Sequence, residues 1–419
     1  MQPTTTASTR INIDGERLWR SLMDMAAIGP SPNGGSRRLA LTEEDIAGRL
    51  QFRQWVEALG CRCRLDEAGN LFVRREGRDT SLAPVAFGSH LDTQPLGGRF
   101  DGVLGVLAGL EILRSLHERD VRTRRPLELV VWTNEEGSRF APAMGGSGVY
   151  AGRLETSDFF HAEDADGIRL ADALEASGQR GDLPLGTPVL DAYFELHIEQ
   201  GPVLEQSGDP LGVVTGVQGI RWFDVRISGQ SAHAGPTPMS HRRDPLLAAA
   251  DGLVAIRDDV EADPSGDARL TIGELKVTEP SRNVIPAEVN LTIDLRHVDD
   301  TRLDELEAML YRRLDAAASK AGVSVDIERR WRSPVTPFDP DLIASLDTAA
   351  RERGLSLPHM MSGAGHDAVN VSHVAPTVML FTPCRDGISH NEAEFAEPEH
   401  CALGAQVLCD AILARANRA

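Results

Sequence analysis

An apolar run at 84–89, a glycine-bearing helical stretch at 102–118 and a second apolar run at 127–133 follow one another. A strand, a helix and a strand in that order fit a parallel pair, because antiparallel neighbours need only a tight turn. Such crossovers are right-handed in nearly every case. The spacing therefore predicts a β-α-β unit, and with it an α/β region whose partly parallel sheet is covered by helices. His90 and Glu135 follow the C-terminal ends of the two strands. Open α/β sheets collect their chemistry at that edge.

Around this unit the pattern extends in both directions. Residues 14–27 and 43–59 read as helices, the second opened by Thr42 and Asp45 as a capping box. The stretch 60–77 reads as a hairpin turning near Gly69-Asn70. Region 212–330 changes character. Strands near 220–228, 269–277, 284–295 and 323–329 alternate with helices at 244–258 and 302–320. The order β-α-β-β-α-β is the ferredoxin-like arrangement. A helix near 340–353, a strand at 376–382 and a helix at 397–416 then restore α/β character. The expected organisation is a discontinuous catalytic domain, 1–211 plus 331–419, with a mixed sheet flanked by helices. Residues 212–330 form an inserted ferredoxin-like α+β domain.

The residues that carry chemistry sit at strand ends or in loops, next to glycine or a polar turn. They are His90-Leu-Asp92, Asp101-Gly102, Glu135-Glu136-Gly137, His197 and His390. His-x-Asp places two polar groups on one face of an extended segment. Asp92 can then orient His90, or orient a partner carboxylate. Taken alone the motif is weak, but Asp101 strengthens it, since a carboxylate can bridge two cations and the following glycine permits close approach. Two adjacent acids after the apolar strand LELVVWT are costly unless positive charge lies nearby. One can bind metal while the other handles protons. In Glu195-Leu-His197-Ile-Glu199 the alternation sets three polar groups on one face, which is odd for a buried strand. His366, in a glycine-rich loop after Gly365, is placed to touch substrate. Together these residues supply ligands for two divalent ions and one spare carboxylate, which points to metal-assisted hydrolysis.

Composition narrows the partners. A formal net charge of −20 disfavours nucleic acid and anionic membrane, and no apolar run is long enough to span a bilayer. The first ten residues, MQPTTTASTR, show no secretory pattern. Five cysteines without a framework fit a reducing cytoplasm, and Cys61-Arg-Cys63 reads as alternation along a strand.

With these residues assembled, the chain resembles the M20 di-metal amidohydrolase and peptidase superfamily. More narrowly, it resembles its hydantoinase/carbamoylase amidase group, which holds N-carbamoyl-L-amino acid hydrolases, β-ureidopropionases and allantoate amidohydrolases. GSHLDTQPLGGRFDGVLGVLAGLE, TNEEGSRF, ELHIEQGPVLE, SAHAGPTPM, SRNVIP, SGAGHDA and ISHNEAE occur in the group's order. The resemblance implies two divalent ions per subunit, zinc first, then manganese, cobalt or nickel. One would take His90, Asp101 and His197 and the other Asp101, Glu136 and His390. It implies Glu135 as general base, Asp92 in support of His90, and His233 beside the scissile group. Asn283, Gln200, Gln218, Gly365 and His366 would contact substrate, and Arg296 would grip its carboxylate. The expected activity is cleavage of the carbamoyl C–N bond of an N-carbamoyl-L-amino acid. Allantoate or β-ureidopropionate is the alternative, and dipeptidase activity or metal-dependent binding without turnover lies further off. The insert is expected to pair two subunits and close over substrate.

Overall fold

The first helix, α1 (Gly15–Ala26), begins where the Asp14 side chain accepts from Arg17 N, and α2 (Glu43–Glu57) begins where Thr42 accepts from Asp45 N. Both caps satisfy backbone donors that the first turn leaves unpaired. A computed structural model gives the structure of residues 11–418. The N-terminal stretch tested above for a secretion signal lies outside the described residues.

After α2 come the strands β1 (Arg62–Leu65), β2 (Leu71–Arg75) and β3 (Val85–His90), the helix α3 (Val103–Glu118), and the strands β4 (Leu127–Trp132), β5 (Ala192–Ile198) and β6 (Gly212–Val217). They form one mixed sheet in the order β1-β2-β4-β3-β5, then the strand Thr377–Thr382, then β6. β3 runs parallel to β4 and to β5, and Thr377–Thr382 runs parallel to β5. β3, β4, β5 and Thr377–Thr382 are buried along their whole length, as a parallel sheet covered on both faces requires. α3 is apolar nearly all round and packs on β3 and β5. Four parallel strands therefore end at one edge, where His90, Thr133-Asn134-Glu135, His197 and the loop after Thr382 emerge.

The chain divides into two compact units, one continuing to Gly216 and resuming at Pro337, the other spanning Val217–Thr336. Both boundaries fall later than the sequence pattern placed them. β6 pairs Val214 with Met379 of the large sheet, and all of it but Val217 stays with that unit. The last strand of the smaller unit runs to Ser333.

That smaller unit is an antiparallel sheet ordered Ser324–Ser333, Gly219–Ser228, Glu288–His297, with Leu275–Val277 and Arg269–Thr271 both pairing to the last. Phe223, Val225 and Ile227 alternate inward against Val289, Leu291, Ile293 and Leu295, and the helices Pro245–Glu261 and Asp300–Ala321 close that core. Element order and strand order are those of a ferredoxin-like fold.

Candidate metal centre

His90 is the last residue of β3, and Asp101 stands just before α3. Between Asp101 and the helix lies Gly102, at φ 66°, where a Cβ would come within 2.3 Å of the His90 ring. Only glycine brings the helix start this close to the imidazole. The two Asp101 oxygens face different partners. Oδ1 lies 3.5 Å from His90 Nε2 and 3.2 Å from His197 Nε2. Oδ2 lies 3.4 Å from His390 Nε2, which is itself 3.3 Å from Glu136 Oε2. The ligand atoms of His90, Asp101 and His197 fall within 4.8 Å of one another, and so do those of Asp101, Glu136 and His390.

Hydrogen bonds fix which ring nitrogens face inward. His90 Nδ1 lies 2.9 Å from the Asp92 carbonyl, and His197 Nδ1 lies 2.9 Å from the Ile198 carbonyl. A carbonyl only accepts, so each Nδ1 carries a hydrogen, and each Nε2 is the nitrogen turned towards Asp101. Asp92 meets His90 and the two glutamates with different atoms. Its main-chain oxygen holds the imidazole, while its carboxylate accepts from Glu135 N at 3.3 Å and Glu136 N at 3.2 Å. That carboxylate is 3.9 Å from His90 Nδ1. Glu136 is clamped by Gln94, through its main-chain N at 3.1 Å and Nε2 at 2.7 Å. Glu135 is free of that clamp and lies with Oε2 3.5 Å from His90 Nε2.

The cluster calls for positive charge. Burial raises the Glu135 carboxyl well above its ordinary range, with Asp367, Glu136 and Asp101 adding to the rise and His90 opposing it. Burial and then Asp101 raise Glu136 in the same way. Burial pulls His90 down, yet Glu135, Asp101 and Asp92 together hold it well above the ordinary histidine value. Buried acids of this density need cations among them. Two nitrogen–oxygen donor sets that share one carboxylate fit a pair of divalent ions.

Backbone strain concentrates at the same place. Asn134, Met144, Gln200 and His390 all have positive φ, four of only eight such non-glycine residues among those described. Gln200 thereby reaches Asp101 Oδ2 with its Nε2, at 2.7 Å. His366 Nε2 is held 2.9 Å from Ser362 Oγ, and its ring meets the His197 ring edge-on at 4.5 Å between centroids. Gly365 packs against the Met144 side chain.

The smaller unit carries His233, Asn283, Arg296 and Gln218. His233 and Asn283 are exposed neighbours, tied by Ala234 N donating to the Asn283 carbonyl at 2.9 Å. The Arg296 fork is engaged by Asp294 of its own strand, with Nε at 2.8 Å and Nη2 at 2.6 Å. Gripping a substrate carboxylate with this side chain therefore means exchanging one carboxylate partner for another. Sequence reasoning gave no role to Gln94, Ser389 or Glu394, although two of them lie within ISHNEAE. Nothing in a single polar residue signals that its partner is 40 or 290 positions away.

The model of peptidase family M20/M25/M40 matches residues 86–414. An N-carbamoyl-L-amino-acid amidohydrolase from Rhizobium meliloti is 43% identical over 97% of both chains. An allantoate amidohydrolase from Bacillus subtilis is 34% identical over 92% of this chain and 94% of its own. The crystal structure of a hydantoinase/carbamoylase family amidase from Burkholderia multivorans superposes with a TM-score of 0.93 at 47% identity, covering 97% of this chain and 99% of that one. By the family model and by relatives similar along nearly their whole length, the chain belongs to peptidase family M20/M25/M40.

Proposed function

We propose that the protein is a metal-dependent amidohydrolase that cleaves the carbamoyl C–N bond of N-carbamoyl-L-amino acids. The observation that carries this reading is Asp101, which faces a separate histidine set with each oxygen while the unclamped Glu135 stands beside His90. Its similarity to the Rhizobium enzyme along the whole chain supplies the substrate class. One divalent ion would be held by His90, Asp101 and His197, and the other by Asp101, Glu136 and His390. Zinc leads the candidates, with manganese, cobalt and nickel behind it. Such a pair supplies Lewis acidity, lowering the pKa of attacking water and polarising the carbonyl.

The chain's own residues do the rest. Glu135 takes a proton from the attacking water on a carboxylate oxygen and delivers it to the leaving amino nitrogen. Breaking that C–N bond releases the amino acid and a carbamate, which decomposes to carbon dioxide and ammonia. Asp92 keeps Glu135 in place through the main-chain N–H. His233 donates to the developing oxyanion, and loss of one such donor costs about 3–4 kcal/mol of transition-state stabilisation. Arg296 binds the substrate carboxylate with its fork. Asn283, Gln200, Gln218, Gly365 and His366 line the remainder of the substrate site. The protein works in the cytoplasm as a homodimer paired through the smaller unit. No helix among the described residues is long and apolar enough to cross a membrane.

A second reading, allantoate hydrolysis, is favoured by the Bacillus relative. Both substrates join a ureido group to a carboxylate, so the same residues serve either. A panel of N-carbamoyl-L-amino acids, N-carbamoyl-β-alanine, allantoate and dipeptides, scored for ammonia and for free amine, separates the readings. Ammonia release fastest from the N-carbamoyl-L-amino acids is expected. A preference for dipeptides would overturn the assignment.

A further inference from the structure

We propose that Glu394, acting through Ser389, is a positioning residue that fixes the Asp101 carboxylate between its two histidine sets. Glu394 is fully buried in the loop that follows His390. Its Oε1 accepts from Phe100 N at 2.9 Å and Asp101 N at 3.1 Å, so it pins the main chain that carries Asp101. Its Oε2 lies 2.9 Å from Ser389 Oγ, and that hydroxyl lies 2.8 Å from Asp101 Oδ2. Glu394 thus holds the Asp101 backbone directly and meets its carboxylate through Ser389, whose single hydrogen goes to one of the two carboxylates at a time. Ser389 immediately precedes His390, whose φ of 53° is a strained backbone that needs outside support.

The anchor is built into the packing. A Cβ at Gly98 would lie 1.9 Å from the Glu394 carboxyl, so the backbone at that position sits directly on it. The two loops are nearly 300 residues apart in sequence, and these hydrogen bonds set their relative position. Because Asp101 belongs to both donor sets, loosening it weakens both ions together, whereas Glu136 or His197 affects one. Groups that orient metal ligands typically change affinity by about 10- to 100-fold when removed.

This inference rests on the two-ion reading above. The experiment is equilibrium dialysis of the full chain against buffered free zinc, with zinc per chain measured for wild type, Glu394→Ala, Glu394→Gln and Ser389→Ala. Wild type should bind two zinc ions per chain; if it binds none, the two-ion reading itself fails. Glu394→Ala should need at least about tenfold more free zinc for half-occupancy of both sites. Glu394→Gln should stay within about threefold of wild type. Its amide oxygen accepts the same two N–H groups, and its Nε2 donates to Ser389 Oγ, freeing that hydroxyl's hydrogen for Asp101. Ser389→Ala should weaken zinc binding while leaving the melting temperature of the chelated protein unchanged, and it decides the matter if Glu394→Ala does not fold. Wild-type zinc binding in both Ser389→Ala and Glu394→Ala would overturn the proposal. So would equal losses in Glu394→Ala and Glu394→Gln, since charge rather than hydrogen-bond geometry would then be at work.

Discussion

Glu135 and Glu136 are adjacent acids with different constraints. Glu136 is held by two Gln94 donors and faces His390, while Glu135 has no such clamp and lies beside His90. Glu135→Gln should therefore keep its bound metal and lose about 10²-fold or more in kcat. Glu136→Gln should lower the occupancy of one ion. Metal analysis beside steady-state kinetics checks both, and the opposite pattern would reverse the assignments. Arg296 offers a second test. Arg296→Lys removes the fork that now holds Asp294, and the reading predicts a raised KM for acid substrates with little change for their amides. A lowered melting temperature with unchanged KM would make it a structural ion pair instead. At this scale the sequence revealed residue types but not partners. His90, Asp101 and His390 could be named as candidate ligands because acids and histidines gather at strand ends and loops beside glycine or a polar turn. That Asp92 orients His90 with its carbonyl was not legible, because a carbonyl is present at every residue.

At the scale of elements, the start of α3 is the most demanding piece. Gly102 combines a left-handed backbone with contact against His90. Gly102→Ala should cost about 1–3 kcal/mol from the backbone alone, and more as the imidazole is displaced. Thermal unfolding should shift down, and metal content should fall with it. Unchanged values for both would mean that the close approach is dispensable. Long periodic elements were legible: α1, α2, α3, β3 and β4 lie within a few residues of the expected bounds. Periodicity over several turns and capped starts made them so. The helices Gly145–Tyr150, Thr156–His161 and Leu170–Ser177 were not read. Each is eight residues or fewer, too short for a 3.6-residue period to stand out. The compact unit runs past 211 because β6, apolar in either setting, pairs with Thr377–Thr382 of the large sheet.

At the scale of the molecule, buried acids tie stability to metal and pH. Burial holds the Glu135 and Glu136 carboxyls above 4.5, where the unfolded chain releases its protons. A raised carboxyl stabilises the fold below that value and loses this contribution as pH rises through the folded pKa. The chelated protein should therefore melt progressively lower as pH rises above about 4.5. Bound zinc compensates the charge, so the gap between loaded and chelated melting temperatures should widen with pH. A gap that narrows would contradict this. The dimer reading makes its own prediction. Mixing His233→Ala with Glu135→Gln chains should restore activity if His233 serves the partner subunit's site. No recovery despite proven subunit exchange would place it in its own.

The most direct test of the central claim is a metal titration of turnover. The protein is stripped with chelator, verified by metal analysis, and assayed for ammonia release from an N-carbamoyl-L-amino acid as zinc is added back. The account predicts no turnover at the start and full activity near two equivalents per chain. Undiminished turnover in verified metal-free protein would contradict it.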